Sequence, residues 1–313
     1  MLTLASVGGG ALALVDRVAL LRWLHTLKRP DGSFSVCVGG ETDVRAVYCA
    51  LTALALLRLP APPALLAGTA AYLAACQTYE GGFGATAAGN EAHGGYTFCA
   101  LAALCILHPP AALPTLVDMP ALVRWLSARQ YAPEGGLSGR TNKLVDGCYC
   151  TWIGGCWALV EAAVGADAPL WDREGLARYI LAAAQAPHGG LRDKPGKGPD
   201  FYHSNYVLLG LSTVQNQHYY DAGPAAAADA GGAAEGLPLL APFGWKNSTK
   251  VRGLDEIVTG FEGWPDKRWG DNEAKVQLDG LMGDRVAVAH PVFNIRAEFV
   301  DQAVKWAEEL GDF

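Results

Sequence analysis

Apolar positions along the chain fall into two kinds of helical segment, and the two kinds alternate. One kind is amphipathic, with apolar residues on a single face, as at Leu176, Tyr179, Ile180 and Ala183. The other kind (Tyr48 to Leu57, Tyr96 to Leu107, Tyr149 to Val160, Tyr206 to Val214) is apolar nearly all round, which suits a helix covered on every side. Each amphipathic segment carries an aromatic (Trp23, Tyr72, Trp125, Tyr179), followed 11 or 12 residues later by a glycine turn ending in Phe34, Phe83, Leu137 or Leu191. A second aromatic (Tyr48, Phe98, Trp152, Tyr206) follows after another 14 or 15 residues. The unit of about fifty residues is therefore outer helix, glycine turn, loop, inner helix. Such pairs cannot bury their faces alone, so they stack into a solenoid or close into a toroid, an all-α architecture.

Polar chemistry varies at one end of the inner helices only. Six residues before the register aromatic stand Thr42, Ala92, Asp146 and Asp200; four before it, Val44, Gly94, Cys148 and Tyr202; three before it, Arg45, Gly95, Tyr149 and His203. In the loops, three residues past the turn are Arg140 and Lys194, and six past it Lys143 and Lys197. If the repeats close round an axis, these groups share one rim.

Asp146, Cys148 and His203 offer one oxygen, one sulfur and one nitrogen donor, a set that suits zinc with a fourth position left open. The plainer alternative is an N-capping aspartate, a buried cysteine and a core histidine. Arg140, Lys143, Lys194 and Lys197, with His93 and Tyr149, read either as a diphosphate clamp or as a solvated loop. The acids expected to answer them are Asp193 and Asp200. Tyr48, Tyr96, Phe98, Trp152 and Tyr206 below that rim suit a ligand with an apolar tail and an anionic head, or plain core.

After Val214 the pattern stops. Residues 222–236 are low-complexity and expected to be disordered, and 217–289 read as an insertion within a single domain spanning 1–313. His290 then leads into a last amphipathic helix over 297–310 that can cap the solenoid. With 313 residues, 51% hydrophobic and 18% charged, the chain can build a large core. A net charge of −7 argues against nucleic acid as the main partner. Eight cysteines without a Cys-x-x-Cys pair read as reduced, intracellular thiols. The apolar N-terminus lacks a basic region and is cut at Asp16-Arg17, which argues against a signal peptide or a membrane span.

Several long motifs carry a resemblance: Gly-Gly-Glu-Thr-Asp-Val-Arg-Ala-Val-Tyr-Cys-Ala (39–50), Glu-Ala-His-Gly-Gly-Tyr-Thr-Phe-Cys (91–99), Gly-Arg-Thr-Asn-Lys-Leu-Val-Asp-Gly-Cys-Tyr (139–149), Asp-Lys-Pro-Gly-Lys (193–197), Asp-Phe-Tyr-His (200–203) and His-Pro-Val-Phe-Asn-Ile (290–295). Together they resemble the β subunits of protein prenyltransferases, from about residue 16 to 216 and again from 290. The resemblance implies an α/α toroid, and a prenyl group passed from its diphosphate to the cysteine of a C-terminal Cys-a-a-X sequence. It implies Zn2+ on Asp146, Cys148 and His203, and a diphosphate held by His93, Arg140, Lys143 and Tyr149. It further implies an isoprenoid pocket of Arg45, Tyr48, Tyr96, Cys99 and Trp152, Mg2+ at Asp193, and Tyr202 beside the peptide. A separate helical α subunit would complete the site and supply a catalytic lysine, in the cytoplasm. The 193–197 run with Phe201-Tyr202 is like the farnesyl-transferring branch, which takes farnesyl diphosphate; the geranylgeranyl branch and a non-catalytic, α-binding form are the alternatives. Terpene cyclases share Gly-turn helical repeats, but their Asp-x-Asp-Asp motif does not occur. The first two helix pairs of the family pattern are missing, which predicts that apolar inner helices face water and puts isoprenoid length specificity in doubt.

Overall fold

The computed structural model describes residues 1–8, 10–87, 89, 91–222, 238–249 and 285–310. Its helices, in chain order, are α1 (Leu2–Val7), α2 (Arg17–Leu27), α3 (Val44–Leu56), α4 (Pro63–Leu66), α5 (Thr69–Ala75), α6 (Gly94–Leu107), α7 (Leu113–Leu116), α8 (Met119–Ser127), α9 (Tyr149–Val164), α10 (Arg173–Arg178), α11 (Phe201–Gln215) and α12 (Ala297–Glu309). A π-helical turn, Tyr179–Ala184, continues α10. One two-stranded ribbon, β1 (Gln217–Tyr220) with β2 (Trp245–Ser248), is antiparallel. Side-chain caps set most of the starts. Asp43, His93 and Asp200 accept backbone N–H groups at the heads of α3, α6 and α11, as Asp16, Asp118 and Asp172 do for α2, α8 and α10. Three inner helices therefore begin earlier than their apolar runs suggest, at Val44, Gly94 and Phe201.

The inner helices α3, α6, α9 and α11 pack in that order. Their close approach needs missing side chains: a Cβ on Gly155 would lie 2.8 Å from the Phe98 ring, and one on Gly210 would lie 2.4 Å from Cys150 Cβ. Leu51, Leu54, Phe98, Leu101, Ile153 and Trp157 are all but fully buried between them. At about 25 cal/mol per Å² of apolar surface, this interior is the main term holding the repeats together.

A second set of contacts stitches the outer layer. In the second and third units a glutamine at the start of the glycine turn reaches the N-cap of the next outer helix. Gln77 donates to Gly81 O and Asp118 O and accepts from Asp118 N; Gln130 donates to Gly135 O and Asp172 O and accepts from Asp172 N. Lys28 stands at this place in the first unit, bonded to Gly32 O and Thr69 Oγ1. Gly135 (φ +74°) closes the contact, since a Cβ there would meet Gly175 O at 2.2 Å. The turn residues Phe34, Phe83 and Leu137 are fully buried, and Tyr72, Trp125 and Tyr179 nearly so. Trp23, the matching aromatic of the first unit, is 44% exposed.

The first inner helix is nonetheless not open to water. The C-terminal stretch crosses from α11 back to α3: Ser212 Oγ accepts from Ala289 N, Gln215 Oε1 accepts from Val286 N, and Tyr48 donates to Val292 O at 2.7 Å. Helix α12 then packs on both α3 and α1. Every residue of α3 except Arg45 and Cys49 is buried, which corrects the expectation that the short N-terminus leaves this helix wet. The expected cap at 297–310 exists but sits against the first inner helix. The expected insertion, 217–289, and its low-complexity part, 222–236, lie largely outside the described residues; within them, β1 returns onto α9 and α11. No single helix among the described residues is long and apolar enough to cross a membrane.

Two buried histidines lock the returning stretch. His218 Nε2 donates to Ala289 O and His290 Nε2 to Pro242 O, while His290 Nδ1 accepts from Val292 N and Phe293 N. Burial, aided by Arg173 near the first and by His218 near the second, lowers these imidazoles from 6.5 to about 4 and about 3. The folded chain thus binds these protons more weakly than the unfolded chain. Their stabilising contribution is full above pH 6.5 and is lost as pH falls toward 4 and below. Urea midpoints are expected to drop across that window, with a smaller slope in His290→Gln; equal slopes in the two proteins would contradict the lock. In the outer layer, Gln130→Ala is expected to cost about 1–3 kcal/mol in the same assay, since it removes two hydrogen bonds to the next unit and one within its own glycine turn.

Candidate metal and anion site

The loops that precede the inner helices are tied to one another by backbone hydrogen bonds. Val44 N donates to Ala85 O, Gly94 N to Gly139 O and Gly147 N to Asp193 O, each crossing to the next unit. These bonds place the heads of α3, α6, α9 and α11 at one rim.

Asp146, Cys148 and His203 meet there, with one donor atom from each lying within 4.8 Å of the others. Asp146 accepts from Cys148 N at 2.8 Å, which fixes the carboxylate over the start of α9. Asp200, the cap of α11, accepts from His203 N and from His203 Nδ1, both at 2.7 Å. A carboxylate can only accept, so Nδ1 carries a proton and Nε2 is turned inward. Nε2 lies 3.2 Å from Asp146 Oδ1. In the neutral tautomer two acceptors face each other, and either an added proton or a cation resolves the contact. The Cys148 thiol is held well above its ordinary value, by burial first and then by Asp146, so it stays protonated until a cation offsets that carboxylate. The donor set, its spacing and the carboxylate behind the histidine fit a divalent ion with nitrogen, sulfur and oxygen ligands.

Beside it lies a donor cluster. Gly95 N donates to His93 Nδ1 at 3.0 Å, so the neutral ring carries its proton on Nε2 and donates to Tyr149 Oη at 3.1 Å. The phenol proton is then free to point outward. Burial, with Cys148 and Asp146, raises the Tyr149 phenol to about 12, so it remains a donor at neutral pH. Burial, then Arg140, lowers the His93 pKa and keeps that ring neutral. Gly139 makes room for this arrangement, since a Cβ there would lie 1.8 Å from the Tyr149 ring. Arg45 stacks 5.4 Å above Tyr96, which lies 5.0 Å from His93.

An aromatic file leads inward. Tyr202 OH accepts from Trp152 Nε1 at 3.3 Å and reaches the Cys148 thiol. Trp152 packs on Tyr206 (4.5 Å) and Phe98 (5.6 Å), and Phe98 on Tyr48 (6.0 Å). Cys99 is buried beside Tyr48, and burial raises both groups.

The cations depart from the sequence reading. Asp193 and Asp200 are not their only acids: Arg140 pairs with Glu91 and Arg45 with Asp43. Asp200 serves His203 instead, while the Asp193 carboxylate is held by Lys194. Lys143 and Lys197 are exposed on their turns. The spacing Asp200-x-x-His203, a capping pattern, is the sequence feature that marks the histidine's partner; Glu91 carries no such mark.

Residues 1–295 match the prenyltransferase alpha-alpha toroid domain, and the chain belongs to that family. It is 49% identical over 244 residues to the protein farnesyltransferase subunit beta of Pyricularia oryzae, covering 69% of this chain and 47% of that one. It is 44% identical over 216 residues to the same subunit of Schizosaccharomyces pombe, covering 67% and 55%. The chain thus spans about half the length of these relatives. Among solved structures it is similar to Candida albicans protein geranylgeranyltransferase-I complexed with GGPP, with a TM-score of 0.52 and 26% identity over 64% of this chain and 61% of that one.

Asp200→Asn is expected to weaken divalent-metal binding about 10- to 100-fold. Cobalt titration followed by its visible spectrum checks this; an unchanged affinity would remove Asp200 from the site.

Proposed function

We propose that this chain is a subunit of a protein farnesyltransferase, moving farnesyl from farnesyl diphosphate to the thiol of a C-terminal Cys-a-a-X sequence, in the cytoplasm and paired with a separate α subunit. The observation that carries this reading is the adjacency of the Asp146–Cys148–His203 cluster to the His93–Tyr149 donors at the mouth of an aromatic file. Identity of 44–49% to two chains named as farnesyltransferase β subunits supports it, and eight free cysteines suit a reducing compartment.

Asp146, Cys148 and His203 would hold Zn2+, which when bound lowers the pKa of an incoming thiol so that it arrives as thiolate. The substrate sulfur then bonds to the first carbon of the prenyl chain as the bond from that carbon to the diphosphate oxygen breaks. Tyr149, oriented by the His93 ring that donates to its oxygen, would donate its phenol proton's hydrogen bond to the departing diphosphate, and Arg140 and Lys143 would offset its growing charge. Asp193 would hold Mg2+ once Lys194 yields its carboxylate, and the ion would offset diphosphate charge. Tyr48, Tyr96, Cys99 and Trp152, with Arg45 above them, would line the isoprenoid, and aromatic faces tolerate partial positive charge on the allylic carbon. Tyr202, touching both Cys148 and Trp152, would sit between peptide and lipid.

The second reading is a geranylgeranyl-transferring subunit, favoured by the likeness to the Candida albicans structure. Co-expression with a family α subunit, followed by competition between labelled farnesyl and geranylgeranyl diphosphates for a Cys-a-a-X peptide, separates the two. The farnesyl product is expected to dominate, and Cys148→Ala is expected to lose both zinc and product. Tight α-subunit binding without product at saturating zinc would mean a non-catalytic form, and Cys148→Ala that keeps both zinc and product would refute the ligand assignment.

A further inference from the structure

The cation best placed to meet an anionic head group already has a partner. Arg140 Nη1 lies 3.1 Å from Glu91 Oε2, and the two side chains are 40% and 47% exposed. The pair crosses between units: Glu91 stands two residues before His93, the cap of α6, while Arg140 belongs to the loop leading to α9. A second carboxylate already secures the two loops to each other, because Glu80 accepts from Ala92 N and from Thr141 Oγ1. Glu91 is therefore not needed to hold them. Its charge instead stands beside the donor cluster, two residues from His93.

We propose that Glu91 is an exchangeable counter-ion for Arg140, which holds the guanidinium in place and competes with a diphosphate for it. This inference rests on the diphosphate-clamp reading above. An exposed ion pair is weak and easily exchanged, whereas a diphosphate offers the same guanidinium two charged oxygens at once. The incoming ligand displaces the carboxylate, and the carboxylate retakes the guanidinium as the diphosphate product leaves. Glu91 touches no reacting atom, so it is a positioning residue and not a catalytic one.

Inorganic diphosphate titrated by calorimetry into the zinc-loaded complex with the α subunit tests this. Glu91→Gln, which keeps the shape and removes the charge, is expected to tighten binding about threefold to tenfold and to lower KM for the prenyl diphosphate. Arg140→Ala is expected to weaken binding, and Glu91→Gln is expected to have no further effect in that background. Unchanged or weaker binding in Glu91→Gln would overturn the counter-ion role, as would an equal gain in the absence of Arg140. If Arg140→Ala alone leaves diphosphate binding unaltered, the clamp reading falls and the counter-ion role falls with it.

Discussion

The structure depends on the stacking of one helix pair against the next at fixed height. That height is set twice. Inside, Gly155 and Gly210 let the inner helices approach until ring and backbone touch; outside, Gln77 and Gln130 bind each glycine turn to the next outer helix's cap. With both layers in register, the heads of the inner helices reach the same level. Residues 57 positions apart, Asp146 and His203, can then stand 3.2 Å from each other.

Much of this was legible in the sequence because repetition converts spacing into position. The aromatic register gave the alternation of inner and outer helices, and counting back from it brought Asp146, Cys148 and His203 to one rim. Long motifs shared with a family also imply roles for His93, Arg140 and Tyr149. The covering of α3 was not legible, because it comes from a stretch about 240 residues away in sequence that belongs to no repeat; Tyr48 reaches Val292 only through the fold. The Arg140–Glu91 pair was hidden for a similar reason: an ion pair between two loops leaves no period in the sequence.

Two of the helix caps at the rim also orient candidate site residues. His93 accepts a backbone proton at the head of α6, and that single bond fixes which ring nitrogen faces Tyr149. Asp200 closes the head of α11 and, with its other oxygen, fixes which nitrogen of His203 faces Asp146. Folding the helix and preparing the site are one event at these positions, so substitutions there are expected to disturb orientation even where the chain still folds.

The convergence of three ligands on one ion is tested most directly by zinc K-edge X-ray absorption on the metal-loaded protein. One sulfur at about 2.3 Å and nitrogen or oxygen neighbours at about 2.0–2.2 Å are expected, with the sulfur shell absent from Cys148→Ala. A sulfur shell that survives the loss of Cys148, or a first shell without sulfur in the unaltered chain, would contradict it.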